Sequence, residues 1–254
     1  MTSAVAIRRD FTVHPDPWLT GILDRPAFRV DGADAPSSGW MARLKSDDLF
    51  VTAKVGADQV AESSLLQDLG FRTIDAALTF EASALTAPAG DPRVRFARAE
   101  DRVAVEQLAG SAFVFSRFHL DPAIPTWLAH RVKAAWAGNF FAGKRGDGMV
   151  VAEHAGVVAG FLQLLWSPGD VLTIDLIAVA PGSARSGLAR AMIGFAAVNG
   201  VGDQRRPRGF RVGTQAANTP SVRLYESLGF RLSQAQFVLH HHGRGGPYLP
   251  KAGA

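Results

Sequence analysis

Residues 171–197 read VLTIDLIAVAPGSARSGLARAMIGFAA: a long apolar run, a loop of small residues, then a second apolar periodicity. From Val171 to Val179 the run is interrupted only by Thr173 and Asp175, as in a strand covered on both faces. Pro181 ends it. Beyond the loop, Leu188, Ala191, Met192, Phe195 and Ala196 recur at offsets of three and four, one face of a helix that packs back on a sheet. The loop between Gly182 and Gly187 consists of small residues plus Arg185, which leaves its backbone amides open to an anion. At an exposed site the helix dipole adds about 0.3 to 1 kcal/mol to such binding.

What the loop lacks narrows the anion. Gly182 and Gly187 fit the GxxxxG half of a P-loop, but Leu188 and Ala189 replace its Lys and Ser/Thr, so nucleotide hydrolysis is not expected. The loop has no GxGxxG either. Val179, Ala180-Pro181 and then Gly187-Leu188-Ala189 opening a helix resemble the acetyl-CoA loop of the GNAT acetyltransferase superfamily. The family pattern there is Arg/Gln-x-x-Gly-x-Gly/Ala. Gly187 and Ala189 match its last two positions, Ala184 replaces the Arg or Gln, and Arg185 stands one place later. The resemblance implies acetyl-CoA as co-substrate. Backbone groups of Ile177, Ala178 and Val179 would meet its pantetheine, and amides of Arg185, Ser186, Gly187, Leu188, Ala189 and Arg190 its pyrophosphate.

A second stretch, RGFRVGTQAANTPSVRLYESLGFRL at 208–232, reads as strand, polar loop and helix. Thr219 is the expected cap, Pro220 the first helical residue and Gly229 the stop. Asn218, Tyr225 and Leu228-Gly229-Phe230 resemble the end of the GNAT core, which implies cofactor contacts from Asn218 and Tyr225 and makes Tyr225 the general acid. A phenol of pKa about 10 is suited to protonate a departing thiolate.

Composition removes other classes. The chain of 254 residues is 47% apolar, enough for a sizeable core in one large or two small domains. It contains no cysteine, which excludes disulfides, thiolate metal sites and a cysteine nucleophile and favours a cytoplasmic protein. With 27 basic and 23 acidic residues, mostly dispersed, no nucleic-acid partner is expected. The start of the chain has no apolar core behind its arginines, and no apolar run reaches the roughly 18 residues of a membrane span. His240, His241 and His242 are adjacent, so on a strand at most two share a side; no metal is expected.

The expected fold class is mixed α/β, a GNAT acyl-CoA N-acyltransferase fold in which helices flank a central mixed sheet. Residues 93–242 form the acetyltransferase domain and 243–254 a tail. Residues 1–88 read as short elements between loops, with strands at 49–55 and 74–80 and a helix at 58–69. Leu65-Leu66-Gln67-Asp68-Leu69-Gly70-Phe71-Arg72 echoes Leu224-Tyr225-Glu226-Ser227-Leu228-Gly229-Phe230-Arg231. The echo is either a true repeat, making 1–88 a partial, degenerate GNAT-like module, or a shared glycine-cap motif. LTAPAGDP at 85–92 is the expected linker, followed by a strand at 93–99 and a helix at 100–113 with Val103, Leu108 and Ala112 inward. SRFHLDP at 116–122 reads as a loop before a helix carrying Ile124, Trp127, Leu128, Val132 and Ala135 on one face, and a hairpin turning at Ala155-Gly156 spans 149–166.

In GNAT enzymes the first two helices commonly line the acceptor site, which makes Arg117, His119 and Asp121 the expected acceptor contacts. Asp175, His119 and Glu153 are candidates to take the amine's proton, and Asp175 and Tyr225 are the expected catalytic residues. The Ser-Arg-Phe-x-x-Asp-Pro segment with Trp136 and Asn139 is further similar to bacterial sugar-nucleotide N-acetyltransferases acting on dTDP-4-amino-4,6-dideoxygalactose (dTDP-fucosamine). The expected activity is direct acetyl transfer to a primary amine of a small molecule, a nucleotide-linked amino sugar among the candidates, by a monomer or homodimer. A protein or peptide N-acetyltransferase and a non-catalytic acyl-CoA-binding module are the alternatives.

Overall fold

The computed structural model describes residues 11–31, 36–86, 90–203, 205–245 and 248. The first ten residues, the middle of the 31–39 stretch, part of the 85–92 linker and most of the 243–254 tail lie outside them. In chain order the strands are β1 (Thr12–Pro15), β2 (Ala27–Asp31), β3 (Phe50–Gly56), β4 (Arg72–Ala82), β5 (Val94–Phe96), β6 (Gly148–His154), β7 (Val157–Ser167), β8 (Val171–Val179), β9 (Gly209–Gln215) and β10 (Arg231–His242). The helices are α1 (Pro17–Leu23), α2 (Ser38–Ser46), α3 (Val60–Asp68), α4 (Arg102–Ala112), α5 (Arg117–Leu120), α6 (Thr126–Phe141), α7 (Leu188–Asn199) and α8 (Thr219–Ser227).

All ten strands join one sheet in the order β1-β2-β3-β10-β4-β9-β8-β7-β6-β5. Among the described residues, pairing is parallel only between β2 and β3 and between β8 and β9. Strand alternation separates two helical layers. Phe50 packs toward α1, α5 and α6 while its neighbour Val51 packs toward α2 and α3; likewise Met149 meets α4 and α6 while Val150 meets α7 and α8. Among the described residues no helix is long and apolar enough to cross a membrane.

The 65–72 and 224–231 echo is built into the sheet. Each copy ends a helix at a glycine with positive φ, +90° at Gly70 and +95° at Gly229, and enters a strand through a buried phenylalanine, Phe71 or Phe230. The strands they enter, β4 and β10, lie side by side at the centre of the sheet. β4 then pairs with β9 of the carboxy-terminal half, and β10 with β3 of the amino-terminal half. Each half lends its last strand to the other. The alignment that sets Leu65 on Leu224 also sets Ala77 on its own ladder partner Gln236, and carries the Arg231–Glu81 pair onto Arg72–His240. A pseudo-twofold axis normal to the sheet therefore runs between β4 and β10.

Several local expectations need correction. Asn218, not Thr219, caps α8: its side chain accepts from the Ser221 amide at 3.3 Å, which moves the cap one residue back. The expected strand at 93–99 is shorter because Asp101 draws the chain round, taking Arg98 N–H at 2.7 Å and the Arg95 guanidinium. α4 starts after a 3₁₀ turn at Ala99–Asp101, which rotates its face: Val103 is exposed, and Val105 and Ala109 are buried. Trp127 is likewise partly exposed on α6, and the 116–122 loop contains α5. The hairpin turns at Ala155 and Gly156, both with positive φ as a two-residue turn of this hand demands.

Candidate active site

The site starts where the sheet comes apart. β8 pairs with β7 as far as Val179–Gly160, but with its parallel neighbour β9 only from Val171–Gly209 to Ile174–Val212. Gln163 then faces Leu176 while Leu164 faces Ile174, so Asp175 is the extra residue of a bulge that turns β8 away from β9. Past that point Asp175 to Val179, which include the expected pantetheine contacts Ile177, Ala178 and Val179, have no ladder partner on β9.

The loop that follows meets the needs of a diphosphate. Arg185 (φ 62°) and Gly187 (φ 82°) adopt left-handed backbone and lead into α7, whose start has no side-chain cap. The amides of Gly187 to Arg190 precede the first helical hydrogen bond, from Ala191 N–H to Gly187 O at 3.0 Å, so they are available to a ligand. A Cβ on Gly187 would meet nothing within 4 Å, so this side of the loop is open. Ser186 Oγ donates to the Ser183 carbonyl and Leu188 is buried, which together anchor the loop. The Arg190 guanidinium turns away to Ser227 Oγ and the Thr86 carbonyl, so Arg190 and Ala189 offer amides rather than side chains. These residues fit the diphosphate of a coenzyme A thioester.

Tyr225, on α8, is 2% exposed among Phe80 and Phe230, with its phenol beside Ser221. Burial pushes that phenol above its ordinary value, which keeps it protonated. Asn218 caps the same helix with its side-chain oxygen.

On the α6 side of the cleft Asp175 is fully engaged. Its side chain is 8% exposed and accepts from Arg145 Nε (2.8 Å) and Nη2 (2.6 Å), Trp136 Nε1 (2.9 Å) and Gln163 Nε2 (3.0 Å). Three of these donors meet Oδ2 and one meets Oδ1, so Asp175 braces the bulge against α6. Glu153 is also committed, to Arg95 at 2.7 Å on the far strand β6. His119 differs. Its Nδ1 lies 2.6 Å from Ser116 Oγ, while its Nε2 is buried without a partner among the described residues. Burial first, then His130 and Lys133, lower its pKa to about 4, so the ring is neutral near pH 7.

Two further residues escaped the sequence reading. Lys133 is 8% exposed, with its ammonium 4.7 Å from the Phe113 ring and 4.8 Å from Trp136; burial, with Arg117 adding to it, lowers its pKa to about 8. A lysine on the apolar face of α6 was the available signal. Asp75 of β4 is also 8% exposed, and its Oδ2 has no partner among the described residues. Its carboxyl is raised, by burial above all.

Asp121, an expected acceptor contact, is enclosed instead. It is 2% exposed, and its Oδ2 receives His240 Nδ1 at 2.6 Å and His242 Nε2 at 2.8 Å. Burial opposes its ionisation, but these two hydrogen bonds outweigh it and hold the carboxyl well below the usual range. His241 points to the other face, to the Leu44 carbonyl at 2.8 Å. Arg117 faces a cavity, tethered by Thr52 Oγ1 at 3.1 Å.

A bulged strand splayed from its parallel neighbour, in front of an uncapped helix start, defines a fold of the acyl-CoA-dependent N-acyltransferase class. Residues 112–230 match the model of the acetyltransferase (GNAT) family. The spore coat polysaccharide biosynthesis protein SpsD of Bacillus subtilis (strain 168) is 32% identical over 140 residues, 55% of this chain and 47% of SpsD. The match thus spans about half the length of that relative. Two solved structures share the fold: a GNAT-family acetyltransferase from Novosphingobium aromaticivorans DSM 12444 (TM-score 0.53, 18% identity, 84% of this chain and 82% of that one) and a GCN5-related N-acetyltransferase from Sphaerobacter thermophilus (TM-score 0.59, 13% identity, 93% and 78%).

Proposed function

We propose that this chain transfers an acetyl group from acetyl-CoA directly to the primary amine of a small molecule, an amino sugar. The observation that carries the reading is the loss of β8–β9 pairing beyond Ile174–Val212, immediately in front of the open amides of α7. SpsD, named for polysaccharide biosynthesis, supports the sugar. When bound, acetyl-CoA supplies a thioester acyl group activated for attack by an amine. The amides of Gly187 to Arg190 bind the diphosphate, and the free edge of Asp175 to Val179 orients the pantetheine and polarises the carbonyl. His119, neutral and with its buried Nε2 unpartnered, takes the proton that an alkylammonium must lose before attack. Tyr225, kept protonated by burial, is the proton donor to the departing thiolate. The amino-terminal half is a partial GNAT-like module without chemistry of its own: it has Leu66 where the other copy has Tyr225, and no Gly-x-Ala loop.

The test has two stages. Acetyl-CoA at about one hundred times its Kd should stabilise the protein by about 2.7 kcal/mol, a rise in Tm of roughly 5 to 10 °C. Thiol release is then followed with amino sugars, other small amines and peptides. Stabilisation followed by turnover of amino sugars supports the reading; turnover of peptides alone overturns it, and stabilisation without any turnover leaves a non-catalytic acyl-CoA-binding module.

A further inference from the structure

Three adjacent histidines put at most two on one side of a strand, too few to hold a metal without a further ligand. The fold supplies that ligand from 119 residues away in the chain. His240 and His242 of β10 turn to the face that carries Phe50 and Phe118, His241 turns to the other, and Asp121, which ends α5, meets the first two. One nitrogen or oxygen from each of Asp121, His240 and His242 lies within 4.8 Å of the others.

Hydrogen bonds alone leave this cluster incomplete. An ionised carboxylate can only accept, so each ring carries its proton on the nitrogen that faces Asp121. His242 then has Nδ1 left for the Tyr248 hydroxyl at 3.3 Å, but His240 Nε2 is buried without a partner among the described residues. One oxygen, Asp121 Oδ2, serves both rings, while Oδ1 accepts from the Ala123 amide at 2.9 Å. The Ala123 and Tyr248 contacts are of the kind that orient metal ligands: a carboxylate fixed through its other oxygen, and an imidazole fixed through its other nitrogen.

A tetrahedral zinc ion with bonds of about 2.0 to 2.2 Å holds its ligands about 3.4 Å apart. To admit it, the contacts of 2.6 and 2.8 Å open by about 0.6 to 0.8 Å. His242 is the side chain able to yield, at 20% exposure against 0% for His240 and 2% for Asp121, and its exposed edge is the way in. Each ring stays neutral by moving its proton to its other nitrogen, which for His242 is the one beside Tyr248. Two imidazoles and a carboxylate suit zinc better than magnesium or calcium, which take oxygen ligands. The charge of Arg117 also bears on His240, so a weakly coordinated cation would be repelled.

We propose that Asp121, His240 and His242 bind one zinc ion, which ties the end of β10 to the segment between α5 and α6. Three protein ligands leave the fourth position to water, so the site is open and a chelator can empty it. Asp121 directly follows the helix that carries Arg117 and His119, and the ion therefore holds α5 against the sheet. It does so away from the acetyl-CoA cleft, since β4 and β9 separate β10 from β8. The proposal does not depend on the acetyl-transfer reading.

The full chain, stripped with a chelator and desalted, is titrated with zinc. One equivalent per chain should bind and raise the Tm. His242→Gln keeps a donor for Asp121, and it should fold to the same circular dichroism spectrum yet bind zinc roughly a hundredfold more weakly or worse. His241→Gln is the control, because that ring reaches the Leu44 carbonyl on the other face; it should bind zinc as the parent does. Cobalt(II) in place of zinc reports on the site without any variant, and the intense visible absorption of a tetrahedral ion is expected. No binding by the stripped chain, equal affinity in the parent and His242→Gln, loss of binding in His241→Gln alone, or the weak spectrum of octahedral cobalt each overturns the assignment. Stabilisation by acetyl-CoA should be the same with and without zinc, so neither reading falls with the other.

Discussion

At the scale of single residues, two buried groups titrate far below their ordinary values, and both lose their stabilising contribution as the pH falls. His119 is held near pKa 4 by burial, so as a base it is already deprotonated across the physiological range. The acidic limb of its contribution to kcat/KM should lie near pH 4 rather than near 6.5. His119→Gln should lower kcat by about 10² to 10⁴, with the KM for acetyl-CoA unchanged; an unchanged kcat would remove His119 from the mechanism. Because the folded pKa is below the unfolded one, the neutral ring's stability contribution is complete above pH 6.5 and is lost as pH falls toward 4. Asp121 has a lowered folded pKa as well, so its contribution is complete above about pH 4 and lost below it. Replacing it leaves His240 and His242 without their acceptor, and Asp121→Ala should cost about 3 to 5 kcal/mol in urea unfolding. Tyr225→Phe separates chemistry from packing. The ring still fills the space beside Phe80 and Phe230, so a large fall in kcat with little change in stability would identify the phenol as the acid.

At the scale of elements, the strand-loop-helix unit of β8 and α7 shows what a sequence can and cannot display. Its bounds were legible because two strong periodicities meet across a loop of small residues, and the loop's open side follows from Gly187. Gly187→Trp should therefore fold, since nothing lies within 4 Å of its Cβ, at a cost of about 1 to 2 kcal/mol for left-handed backbone. It should abolish the stabilisation by acetyl-CoA; a retained shift would place the diphosphate elsewhere. Asp175 was visible as a polar interruption of an apolar strand, but its role was not. Arg145 and Gln163 reach it only because the β7–β8 bulge presents it to α6, and one sequence does not encode a bulge legibly. β1, β2 and α1 were missed for a plainer reason. Each is too short for a periodicity, and Pro17 opens α1 rather than a loop.

At the scale of the whole molecule, the exchange of β4 and β10 makes the two halves one folding unit. Phe80, from the amino-terminal half, is 2% exposed in the same core as Tyr225, Leu228 and Phe230, and Leu239, from the last strand, is buried with Leu66 and Phe71 of the other half. Neither core closes on its own. A fragment starting at residue 90 would keep β9 and β10 but lose β4 between them, exposing two strand edges and the face that Phe80 covers. We expect that fragment to aggregate or remain unfolded, and the full chain to unfold in a single calorimetric transition with equal calorimetric and van't Hoff enthalpies. Phe80→Ala should cost about 3 to 5 kcal/mol and lower that one transition as a whole, rather than splitting it. Two transitions, or a soluble and cooperatively folded fragment that binds acetyl-CoA, would show that the halves are independent domains. In that case β4 would be an accessory to the cleft, and the amino-terminal half could be removed without cost to cofactor binding.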